Sequence, residues 1–175
     1  MTPGRAVLVL AFGNPARGDD GLGPALARIV EDAAAPGVTT LWAYQPSVEH
    51  AAEVAEHGVV VFADASRSAR APYEFRRLEP RSMTAFSTHV VEPEAVLALA
   101  RDTLGWRGDA YLLALRGHEF EVFEESLTTL AAENLREGAR CLVSGLRGGR
   151  LGALLTDPPT DHSDDGGEPC QTTTA

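Results

Sequence analysis

Three nearly uninterrupted apolar runs constrain this chain more than any other feature. They are residues 5–13 (RAVLVLAFG), 59–65 (VVVFADA) and 110–117 (AYLLALRG). Runs this short, rich in aliphatic and β-branched residues and lacking alternation, suit strands buried on both faces, as in a parallel sheet. The segments between them change period. After residue 13, Leu22, Leu26, Ile29 and Val30 recur at helical spacing, which predicts a helix over 21–34 with Asp19 as its N-cap. Residues 38–44 (VTTLWAY) read as a second strand. Residues 47–57 read as a second helix, capped by Ser47 and stopped by Gly58. Residues 73–78 (YEFRRL) alternate as an edge strand does, and 79–91 read as a loop. A third helix is expected over 92–104 with Pro93 at its first position, and a long final helix over 124–148. Strands alternating with helices give an α/β domain, a mostly parallel sheet with helices on both faces.

Beyond residue 150 the character changes. The stretch DPPTDHSDDGGEPCQTTTA has no periodicity, five acidic residues and no basic one. The composition predicts a domain over 1–150 and a disordered acidic tail over 151–175. The whole chain carries a formal net charge of −10, which argues against nucleic acid or an anionic membrane surface as partner. Its 15 basic residues are all arginine, so lysine chemistry such as Schiff-base formation is excluded. Cys141 and Cys170 show neither CxxC spacing nor a disulfide framework. No signal peptide and no membrane-spanning stretch is legible, and the expected location is the cytoplasm.

In an open α/β sheet, functional groups gather beyond the carboxyl ends of the parallel strands. The polar residues expected there are Asp19 and Asp20, Asp64, the Ser87–Thr88–His89 loop, and Arg116 with His118. Gly13 and Gly18 have the glycine spacing of a phosphate loop, but aspartates stand where lysine and a hydroxyl are needed. A receiver domain would also place acids after its first and third strands, yet it needs a lysine that this chain lacks. There is no HExxH and no GxSxG, and Cys141 reads as core. Asp20, Asp64 and His89 remain. Each has a plainer role when taken alone: a helix cap, a strand terminus, a loop hydrogen bond. Together, two carboxylates and an imidazole at one sheet edge suit a borderline divalent metal such as nickel or zinc, with coordination positions left open.

The segment GNPARGDDGLGP (13–24) resembles the GN-xxxx-D-(D/E)-G-x-G motif of the hydrogenase maturation proteases. These endopeptidases trim the large subunit of NiFe hydrogenases. VVFADAS, FSTHVVEPEAVLALA and AYLLALRGHEFEVFEESLTTLAAENL resemble the family's later motifs in the same order, over roughly residues 5–147. The resemblance implies a three-layer αβα sandwich around a twisted, mostly parallel five-stranded sheet. It implies that Asp20, Asp64 and His89 engage nickel, supplied by the precursor of the large subunit, and carry the hydrolysis. Asp20 stands where many members have glutamate. Acids in a glycine-rich loop are then there for a cation. The expected function is removal of a C-terminal peptide from the nickel-loaded precursor by a monomeric enzyme. The alternatives are a non-cutting, metal-sensing chaperone on the same precursor and a receiver-like phosphoacceptor.

Overall fold

The computed structural model describes residues 6–81 and 91–156. Five strands form one sheet in the order β2-β1-β3-β5-β4. They are β1 (Val7–Phe12), β2 (Val38–Ala43), β3 (Val59–Ser66), β4 (Tyr73–Leu78) and β5 (Asp109–Arg116). Only β4 runs antiparallel, against β5. The apolar runs became the central strands β1, β3 and β5, which are parallel to one another. Both of their faces are covered. Val9, Ala11, Val61, Leu113 and Leu115 pack under α1 (Leu22–Asp32) and α4 (Thr129–Gly148). Leu8, Leu10, Phe12, Val60 and Phe62 pack under α2 (His50–Ala55) and α3 (Pro93–Leu104). The three-layer αβα sandwich with a mostly parallel five-stranded sheet is therefore present. A receiver-like arrangement, with five parallel strands ordered 2-1-3-4-5, is not: here the last two strands exchange places and one is reversed.

Helix ends depart from the expectations where side chains found other partners. Ser47 does not cap α2. Its backbone N–H instead donates to His50 Nδ1 at 2.9 Å, and the helix starts at His50. The last helix begins at Thr129 rather than 124, because Thr128 takes the cap and accepts from Ala131 N–H at 3.2 Å. Residues 151–156 belong to the domain, so the expected boundary at 150 is corrected. Leu151 is buried in the α1–α4 core. Thr156 exchanges backbone and side-chain hydrogen bonds with both backbone groups of Phe75 in β4, at 2.9 to 3.1 Å. Residues 157–175, the rest of the expected tail, lie outside the described residues. No helix among the described residues is long and apolar enough to cross a membrane.

Candidate functional site

The chain leaves β1 for β2 on one side of the sheet and later returns to β3 on the other. This makes the carboxyl ends of β1 and β3 a topological switch point, where open α/β sheets form a crevice. Gly13 ends β1 with φ +136°, a conformation that side-chain-bearing residues rarely adopt. It also has no room for one: a Cβ there would stand 2.0 Å from the Asp20 carbonyl oxygen. The backbone of residue 20 thus lies directly on the strand end. Asn14 N–H donates to Asp20 Oδ2 at 2.9 Å and orients the carboxylate. Asp20 itself sits in a 3-10 turn, Gly18–Gly21, that leads into α1.

Asp64 occupies the carboxyl-terminal part of β3, paired with Ala114 of β5. Its Oδ1 accepts the Ala65 N–H at 2.7 Å. Burial is the larger influence on this carboxyl and pushes its pKa up to about 6; the Ala65 N–H pulls the other way, and the negative charge of Asp20 adds to the rise. The two acids therefore feel each other across the crevice, and Asp64 titrates near neutrality. A carboxyl whose proton affinity is raised by burial and by a neighbouring acid is an arrangement found at working sites.

Asp19, expected to cap the first helix, does something else. Its side chain is fully buried and turns away toward the segment after β5. One oxygen accepts from His118 N–H (2.7 Å), Glu119 N–H (3.0 Å) and the Thr128 hydroxyl (2.9 Å). The other accepts from Thr128 N–H at 2.7 Å. Burial alone would raise its pKa, but these donors together hold it below the ordinary carboxylate value. Backbone bonds from Asp19 to Glu119 and from Gly18 to Glu124, each 2.8 Å, run alongside. Gly18, at φ +53°, lies so close to this segment that a Cβ would meet the Glu119 oxygen at 2.8 Å. The turn carrying Asp20 is thus clamped between β1 and the segment after β5. The sequence holds one trace of this: a threonine placed to cap a helix more than a hundred residues downstream.

Arg116 and His118 are occupied in structure. Arg116 Nη1 donates to Ala69 O at 3.2 Å, and the His118 ring lies 3.3 Å from the Asn134 amide nitrogen. His89 falls within residues 82–90, outside the described residues. The structure brings together Asp20 and Asp64; among the described residues no group of three histidine, cysteine or acidic side chains could hold a metal ion. The chemistry open to the described pair is attraction of a cation and proton transfer by Asp64.

No family model matches the chain, and no curated protein does. Solved structures do. A NiFe hydrogenase maturation protease HycI from Thermococcus kodakarensis KOD1 is 22% identical; the match covers 83% of this chain and 95% of that one, with a TM-score of 0.66. The hydrogenase maturating endopeptidase HybD from E. coli is 22% identical over 82% of this chain and 93% of that one, at 0.65. A hydrogenase 2 maturation peptidase from Thaumarchaeota archaeon SCGC_AB-539-E09 is 20% identical over 80% and 97%, at 0.59. The chain has the fold of the hydrogenase maturation proteases over nearly their whole length.

Proposed function

We propose that this protein is an endopeptidase that removes a C-terminal peptide from the nickel-loaded large-subunit precursor of a NiFe hydrogenase. The observation that carries the reading is the Asp20–Asp64 pair at the switch point of this particular fold. The ordered resemblance of the sequence motifs supports it independently. Nickel enters as part of the substrate. The precursor's metal approaches Asp20, Asp64 and His89, whose oxygen and nitrogen donors suit it. A metal held beside the scissile bond polarises its carbonyl. Asp64, with a pKa of about 6, is ionised at neutral pH yet basic enough to take a proton from the attacking water. It can then return that proton to the departing amine. Asp20, held on the Asn14 N–H, contributes fixed negative charge toward the cation.

Purified protein is incubated with precursor carrying nickel and with the same precursor lacking it. Shortening of the loaded form alone, read by mass spectrometry, supports the proposal. A stable complex with no shortening would assign the protein to metal-sensing chaperones instead. Equal cleavage of both forms would remove nickel from the recognition step.

A further inference from the structure

The two edges of the sheet are treated differently. At one edge, β4 carries Glu74, Arg76 and Arg77, and both backbone groups of Phe75 are taken up by Thr156. Charged side chains and a covering segment are the usual protections of a strand edge against pairing with another chain. At the other edge, β2 has β1 on one side and, among the described residues, no strand on the other. Among the described residues, neither of those protections is present there. Residues 33–48 carry no charged side chain, in a chain where 23% of residues are charged. The strand is also flanked by exposed apolar groups on both faces. Leu41, paired with Leu10, lies on the α2–α3 face and is 38% exposed. Trp42, paired with Ala11, lies on the opposite face at 43%, edge-on to Tyr44, itself 65% exposed. An open, uncharged, apolar edge is an aggregation hazard unless it has an occupant.

We infer that β2 is the docking edge for an extended, uncharged segment of the substrate polypeptide, which adds to the sheet as a sixth strand. The inference rests on the proposed function, and it says how the substrate is held. Backbone hydrogen bonds to β2 supply binding without demanding one sequence, while side chains of the added strand fit beside Leu41 on one face and Trp42–Tyr44 on the other. The edge leads to the site. The carbonyl of Ala43, the last residue of β2, accepts the N–H of Gly13 at 3.1 Å, and Gly13 is packed against Asp20. A peptide laid along β2 therefore ends at the same end of the sheet as the crevice, two strand spacings, about 10 Å, from the end of β1 and three from Asp64 in β3. Flexible C-terminal peptides bind poorly because they must be ordered; adoption by a preformed edge limits that loss to the peptide itself.

The test is steady-state processing of the nickel-loaded precursor by full-length protein and by the double variant Leu41→Lys/Tyr44→Lys, with sedimentation of each protein alone. Both residues are exposed, so the variant keeps the core. The expected result is a KM raised tenfold or more with kcat within about twofold, and a monomeric wild type. In parallel, a photo-crosslinker at position 44 should attach to the C-terminal region of the precursor. A wild type that processes the precursor while the variant does so at unchanged KM overturns the inference and leaves the proposed function standing. A wild-type dimer that the variant breaks apart, with crosslinks only to a second copy, also overturns it and assigns the edge to self-association. A wild type that leaves the precursor whole overturns the proposed function and this inference with it.

Discussion

Asp19 and Asp20 are neighbours in sequence and opposites in role. Asp20 faces the crevice, while Asp19 is a buried carboxylate with four donors from the segment that follows β5. Removing its charge leaves those donors short of a partner, so Asp19→Asn should cost about 2–4 kcal/mol, seen as a melting temperature lower by about 5–12 °C at pH 7. The pH dependence has a definite sign. A carboxyl held below its ordinary pKa in the folded state stabilises the fold above that ordinary value, and the contribution is lost as pH falls through the folded value. The acid limb of stability should therefore be steeper in the wild type than in Asp19→Asn. Asp64 is the reverse case. Its folded pKa of about 6 lies above the unfolded value of 3.8, so the folded state binds the extra proton between them, and stability falls as pH rises through that window. Above pH 6 the full penalty is present. Asp64→Asn should raise stability by about 1–2 kcal/mol at pH 7.5, and this gain should vanish near pH 4. A carboxyl resonance of Asp64 with a midpoint near 6, moving down in Asp20→Asn, would check the juxtaposition directly. The candidate pair was legible because each acid ends an apolar strand or follows one. Asp19 was not, because its partners lie about a hundred residues away and nothing local marks them.

Elements with strong periodicity are legible in the sequence, and those with borrowed partners are not. The buried runs at β1, β3 and β5 and the charged alternation of β4 specify their places by hydrophobic pattern alone. The start of α2 is not legible in the sequence because the Ser47 hydroxyl, like its N–H, meets the His50 ring and caps no helix N–H. The attachment of residues 151–156 is not legible in the sequence, because it consists of a threonine bonded to an edge strand and a leucine in a gap of the core. Neither feature has a period. The short helix Leu151–Leu154 packs on α4, where Leu154 lies against Gly145, 2.5 Å from where a Cβ would be. Truncation after residue 156 and truncation after residue 150 should therefore differ. Loss of a buried leucine and of the Thr156 hydrogen bonds is worth about 2–4 kcal/mol. The shorter protein should melt several degrees below the longer one, and equal melting temperatures would show that 151–156 adds nothing to the domain.

At the scale of the whole molecule, the fold places two acids where the strand order reverses, and among the described residues β2 has a strand on one side only. The α/β class and its covered parallel sheet follow from the alternation of buried runs and amphipathic helices. The antiparallel turn of β4 and the position of β5 inside the sheet do not, since strand order depends on long-range packing that no local pattern encodes. The functional reading depends on the crevice acids acting on the precursor rather than holding the fold together. The direct test is processing of the nickel-loaded precursor by Asp64→Asn and by His89→Ala, each with its melting temperature measured beside the wild type. Both variants should remain folded, Asp64→Asn at least as stable as the wild type, and cleavage should fall at least about a hundredfold, the usual cost of removing a group that takes part in proton transfer. A folded Asp64→Asn protein that processes the precursor at close to the wild-type rate would contradict the functional reading.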